Sequence, residues 1–330
     1  MKIPAVSHTY FSENRKTELY WRLFCWLIMA AIAAILIIYW EFLGLQKLIE
    51  PLFYFQAERV SVEYLFRGIT FLGDDEFYMI FISIILWCVH KSVAFWTAVV
   101  LLLSAAYTFY LKEIFGIPRP DLGIEHPGND AFPSGHTLTA LTVWGYLAVR
   151  LRSTAFWTWA VIIIVLIGFS RLILGYHFVR DVMGGLVLGF IFLALFVWLS
   201  ALFVEKGWVK KFTFPALLII SIAVPVVLTI LLPDDITRLM GYLAGISVGY
   251  ILEKRLIAFS PHGKWYQHII KSLIGAVVLF GIVMGLSSFL PSEVIALGFI
   301  RYALAGFWVT FLAPLLFTSS GLAARENKQA

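Results

Sequence analysis

Ten apolar runs, each bounded by charged or turn-forming residues, leave this chain few folds to choose from. They fall approximately at 20–43, 76–90, 93–115, 136–150, 155–175, 181–204, 212–232, 237–252, 269–290 and 294–318. A helix needs about 20 apolar residues to cross a bilayer. Within hydrocarbon every backbone N–H and C=O must find its partner inside the protein, which favours helices. The runs therefore predict an all-α, polytopic transmembrane helix bundle. Composition agrees, since 61% of the residues are hydrophobic and only 14% are charged. A soluble domain is nearer half apolar and about a quarter charged. The first run exceeds the ~7–15 apolar residues of a signal-peptide core and reads as a retained span. The second, fourth and eighth are short, and burial in a bundle or local bilayer thinning accommodates them.

The net charge of +5 reads as a topology signal and not as a nucleic-acid footprint. With the N-terminus inside, most of the 25 basic residues fall on the cytoplasmic side and both termini are cytoplasmic. Cys25 and Cys88 lie inside apolar runs, so neither a disulfide framework nor a metal site is indicated. Residues 44–73 mix apolar and charged positions and predict an amphipathic helix in the outer interface. Asp74, Asp75 and Glu76 suit the capping and dipole chemistry of a helix start better than a metal site. The charged stretch 205–211 is the best internal boundary. The resulting division is a cytoplasmic segment 1–19, a membrane-embedded core 20–204, further spans over 205–320 and a frayed cytoplasmic tail 321–330. In the further spans, Gly241, Gly245 and Gly249 are spaced for close helix packing.

Three polar clusters interrupt this apolar pattern, all at outer ends of spans under that topology. Lys112 and Arg119 frame the first, where Pro118 and Pro120 break the helix and hold Arg119 on an extended corner. Charges this close to hydrocarbon are costly and mark a functional site by default. The second is Pro133-Ser134-Gly135-His136, whose free backbone N–H groups at a helix start make an anion site. The third runs from Ser170 and Arg171 to His177 and Asp181. On a continuous helix His177 and Asp181 share a face, and the carboxylate reaches and orients the imidazole. It should also raise the histidine's pKa, against the opposing pull of Lys112, Arg119 and Arg171.

Cationic donors, backbone N–H groups, two histidines and one carboxylate are what phosphoryl transfer requires. Either histidine can serve as the nucleophile, and the carboxylate four residues on favours His177. Neither zinc spacing nor a carboxylate pair for magnesium is present, so no metal or other cofactor is expected. Tyr176 and Arg180 read as interface-lining residues, and Asp121, His126 and Asp130 as a solvated loop.

Lys112 with Arg119-Pro120, then Pro133 to His136, then Ser170-Arg171 with His177 and Asp181 resembles the type 2 phosphatidic acid phosphatase family. The resemblance covers roughly residues 20–204, a six-helix core, and is silent on about four additional C-terminal spans. It implies that His177 attacks phosphorus to form a phosphohistidine, with Asp181 orienting it. His136 would protonate the leaving oxygen and then activate water, while Lys112, Arg119, Ser134, Gly135 and Arg171 hold the phosphate. The expected partners are a lipid phosphate and the surrounding membrane lipids, with no nucleic acid. The expected site faces outward from the cell membrane, which favours undecaprenyl diphosphate. Phosphatidic acid or phosphatidylglycerol phosphate is the alternative substrate, and a lipid phosphotransferase the alternative reaction.

Overall fold

The computed structural model describes residues 60–119, 130–207, 211–232, 234–292 and 294–326. The expected N-terminal segment and first span, Cys25, Asp121, His126 and the last four residues lie outside these. Among the described residues the only β pairing is two isolated bridges, and the rest of the regular structure is helical. The helices are α1 (Val60–Phe71), α2 (Asp75–Cys88), α3 (Lys91–Phe115), α4 (Gly135–Leu151), α5 (Thr154–Ile173) and α6 (Val179–Glu205). They continue as α7 (Phe214–Leu231), α8 (Thr237–Leu252), α9 (Trp265–Phe280), α10 (Ile295–Phe307) and α11 (Ala313–Ser319). Each apolar run after the first coincides with a helix. Six stretches among the described residues are long and apolar enough to cross a membrane, and the run over 295–319 is one of them. Three helices are extended by wide π turns, at Glu253–Ile257, Gly281–Gly285 and Trp308–Leu312.

The helices fall into two compact units that do not follow the chain boundary at 205–211. One holds α1, the end of α3 from Leu111, and α4 to α6 as far as Leu202. Within it α4 and α5 form a tight helical hairpin. Arg152 closes α4 in the left-handed region at φ 51°, and Ser153 then caps α5 by accepting from the Phe156 N–H at 3.4 Å. α1 packs on α5, with Phe66 set edge-on to Phe169 at 5.9 Å between ring centroids.

The other unit holds α2, α3 up to Tyr110 and the helices from α7 onward. Its tightest contact is α8 on α10, built from the glycines noted in the sequence. A Cβ added at Gly241 or Gly245 would collide with the backbone of Phe299 or Ala303. Two buried lysines are satisfied by oxygen acceptors. Lys91 Nζ donates to Glu253 Oε1 at 3.1 Å and to the Phe259 carbonyl at 2.7 Å. Lys271 Nζ donates to the carbonyls of Trp87 and Pro261 at 2.8 and 2.9 Å. Glu326 completes an ion pair to Lys91 at 2.9 Å, and Ser260 N–H donates to the Ala324 carbonyl. The chain as far as Glu326 is therefore pinned, where a frayed tail was expected. The apolar side chains of α7 are left largely uncovered within this unit, as suits a helix surrounded by acyl chains.

Candidate active site

All three polar clusters belong to the first unit. Gly116, at φ 55°, ends α3 and turns the chain so that Pro118 bridges Asp130 in antiparallel fashion. Lys112 on the last turn of α3 donates to the Asp130 carbonyl at 2.8 Å. The Asp130 backbone is thus tied to Lys112 and Pro118, where a solvated loop residue was expected. Arg119 Nη1 donates to the Tyr176 carbonyl at 2.9 Å and stands 3.4 Å from His177 Nε2.

α4 begins against the start of α6. The Ser134 N–H donates to the Asp181 carbonyl at 2.9 Å, which joins the second cluster to the third. The Ser134 side chain makes no capping bond to its own helix. Its Oγ accepts instead from the Thr137 hydroxyl at 3.0 Å, and Ser134 is fully buried. This leaves the first backbone N–H groups of α4 uncapped by that side chain, the usual condition of an anion-binding helix start. Gly135 and His136 open this turn and are half-buried. The approach of α6 depends on Gly185, where an added Cβ would lie 2.7 Å from the Ser134 carbonyl oxygen.

His177 and Asp181 are brought together differently from the continuous helix expected. α6 starts only at Val179, and His177 lies on the turn that Gly175 makes at φ 68°. Asp181 Oδ2 reaches back to accept the Phe178 N–H at 2.8 Å, the geometry of a residue capping its own helix start. The same oxygen stands 3.6 Å from His177 Nδ1, too far for a hydrogen bond and within ion-pair reach of a charged ring. Both side chains are buried, and His177 Nδ1 has no hydrogen-bond partner among the described residues. Burial is the main cause that lowers the His177 pKa well below its ordinary value, and Arg171, Arg119, Lys112 and His136 lower it further. The expected upward pull of Asp181 is outweighed. At neutral pH the imidazole is uncharged and carries a lone pair.

Arg171 is 4% exposed and sits over the Tyr176 ring, with Cζ 4.5 Å from the ring centroid. Its Nη1 donates to Thr70 Oγ1 at 2.8 Å. Tyr176 is therefore in the site and not merely at the interface. Arg180 lies beside it, with Nε 3.4 Å from Asp181 Oδ1 and its guanidinium over the Phe178 ring. Thr70, Thr137 and Gly185 carried no signal in the sequence, because an isolated threonine or a helical glycine looks the same in any packed helix. Among the described residues no group of three or more His, Cys, Asp or Glu side chains is placed to hold a metal ion.

Helices of this length and hydropathy define a multi-pass membrane protein, and cations converging on an uncharged histidine suit phosphoryl chemistry. Residues 93–205 match the PAP2 superfamily, and residues 237–325 match the transmembrane extension of PAP2 superfamily phosphatases. The chain is 34% identical over 161 residues to phosphatidylglycerophosphatase B of Bacillus subtilis (strain 168), which covers 44% of this chain and 73% of that protein. It belongs to the PAP2 superfamily of phosphatases. It is also 27% identical over 150 residues to a probable sphingosine-1-phosphate phosphatase of Dictyostelium discoideum, covering 38% of this chain and 36% of the relative. A crystal structure of a PAP2-type phosphatidylglycerolphosphate phosphatase from Bacillus subtilis is similar to 58% of this chain and 97% of its own, at 25% identity and a TM-score of 0.45.

Proposed function

We propose that this phosphatase hydrolyses a lipid phosphate or diphosphate at the outer face of the cell membrane through a phosphohistidine on His177. In this reading Lys112, Arg119, Arg171 and the backbone N–H groups at Ser134 and Gly135 hold the phosphoryl oxygens. His177 Nε2 attacks the terminal phosphorus, its bond to the leaving oxygen breaks (the lipid alcohol oxygen of a monophosphate, the bridging oxygen of a diphosphate), and His136 donates the proton that oxygen takes up. A water, deprotonated by His136, then displaces the histidine from phosphorus and releases phosphate. Asp181 orients the ring and stabilises positive charge as it develops. The observation that carries this is the 3.4 Å approach of Arg119 to His177 Nε2, which sets a phosphate donor beside the attacking nitrogen.

The outward face follows from the distribution of basic residues and favours undecaprenyl diphosphate as substrate. Phosphatidylglycerol phosphate is supported about equally, by the relative of that specificity at 34% identity. The test is phosphate release by the purified full-length chain from undecaprenyl diphosphate, phosphatidylglycerol phosphate and phosphatidic acid, with EDTA present and with orthovanadate as inhibitor. Vanadate imitates the five-coordinate transition state and should block turnover of whichever lipid is used. Release from none of them, or release only after magnesium is restored, would defeat the reading.

A further inference from the structure

We propose that Thr70 and Tyr176 form a clamp that positions Arg171, making the last turn of α1 part of the phosphate site. The clamp rests on the reading of Arg171 as a phosphate ligand. Thr70 lies before the segments matched to the superfamily, which begin at residue 93. The residue is 8% exposed, and its hydroxyl accepts the Arg171 Nη1 donor at 2.8 Å. The Tyr176 ring supports the face of the same guanidinium at 4.5 Å. One edge and one face of a planar, long side chain are thus fixed before any substrate arrives.

The same residues tie the clamp to the rest of the site. The Tyr176 carbonyl holds Arg119 at 2.9 Å, so one residue supports two cations, by its ring and by its backbone. Thr70 itself stands on the last turn of α1, which ends at Phe71. Gly73 follows, close enough to His136 that an added Cβ would lie 3.2 Å from its ring. An arginine held in its binding rotamer loses less entropy on meeting phosphate, and a hydrogen bond to a charged group is worth more than one between neutral groups. Thr70 and Tyr176 are positioning residues, since they act through Arg171.

The test uses the purified full-length chain, reading the orthovanadate inhibition constant together with KM and kcat for phosphate release from phosphatidic acid. Thr70→Val keeps the shape and removes the hydroxyl. It should raise the inhibition constant and KM by about ten- to a hundredfold, the worth of a charge-assisted hydrogen bond. Thr70→Ser should restore both close to wild type. Serine as weak as valine would mean that packing and not the hydroxyl matters, and would overturn the clamp. Should Thr70→Val not fold, Tyr176→Leu against Tyr176→Phe gives the same comparison, with only the leucine variant impaired. Unchanged vanadate affinity in these variants, beside a clear loss in Arg171→Gln, overturns the clamp alone. Full affinity and activity in Arg171→Gln would instead overturn the phosphate-binding reading beneath it.

Discussion

Arg119 Nη1 stands 3.4 Å from His177 Nε2 while the same nitrogen donates to the carbonyl of Tyr176, the residue just before that histidine. A cation so close to an imidazole nitrogen repels a proton there and attracts a phosphoryl oxygen. The pair therefore disfavours the charged ring and marks where a phosphate would sit. Nothing in the linear spacing of residues 119 and 177 announces this contact. It follows from the Gly116 turn on one side and the Gly175 turn on the other.

His177→Asn should abolish phosphate release while leaving the protein folded. Asparagine is smaller, polar and able to sit beside Asp181, but it offers no comparable nucleophile. Loss of a covalent nucleophile that works as a unit with its neighbours should cost at least roughly a thousandfold in kcat. Size-exclusion profile and thermal denaturation in detergent would check the fold. Near-wild-type turnover would mean that another residue attacks phosphorus.

The pH dependence follows from the lowered His177 pKa, whose first cause is burial and whose next are Arg171 and Arg119. The ring must be neutral to attack. Because its folded pKa lies below the ordinary ~6.5, the attacking form is already populated at that pH. The acidic limb of kcat/KM should then fall on the acid side of it. Arg119→Gln removes one repelling charge, so the folded pKa rises and the limb should move to higher pH, along with a loss in rate. Stability changes with the same sign. The unfolded state binds the proton first, so stability declines as pH falls below the unfolded value and levels off below the folded one. An acidic limb that moves down in Arg119→Gln would contradict the arrangement.

What could be read from the sequence was set by locality. Apolar runs predict spans because hydrocarbon demands a local solution for every backbone group, and each run after the first is helical. The candidate site residues stood out because Lys112, Arg119, His136, Arg171, His177 and Asp181 are costly where they stand. The four-residue spacing of His177 and Asp181 suggests one helix through both, but α6 begins only at Val179 and leaves His177 on the preceding turn. Thr70 and Tyr176 were missed because their contacts to Arg171 span a long stretch of chain in one case and face a ring in the other. The docking of Ala324 to Glu326 was likewise invisible, since a polar chain end gives no sign of a buried lysine waiting for it.

That lysine makes a stability prediction. Lys91 and Glu253 are paired at 3.1 Å with side-chain exposures of 10% and 2%. Glu253 Oε1 also accepts the Phe259 N–H at 2.7 Å. Removing one partner of a buried pair leaves the other charge uncompensated, at a cost of roughly 3–5 kcal/mol. Glu253→Gln should fall toward the lower end, because the Phe259 carbonyl and Glu326 still face the ammonium. Its midpoint of thermal denaturation in detergent should drop clearly, and Lys91→Met combined with Glu253→Gln should recover part of the loss. A double variant as weak as the single would argue that the pair is not coupled.

The contact of α8 with α10 supports a sharper test, because there the obstacle is main chain. A Cβ added at Gly245 would run into the Ala303 carbonyl and crowd the Phe307 nitrogen at 2.8 Å. A flexible side chain can swing away from such an intrusion, whereas a carbonyl on a neighbouring helix cannot. The two helices would have to separate over their whole shared face, exposing Gly241 and Gly306 as well. Gly245→Val should therefore cost more than the roughly 1–3 kcal/mol of ordinary overpacking. Gly281→Ala is the control, since a Cβ there meets nothing within 4 Å. Thermal denaturation of both variants in the same detergent should show a large fall for valine at 245 and none for alanine at 281. Equal midpoints would mean that α8 and α10 tolerate separation and that the glycine seam does not hold them together.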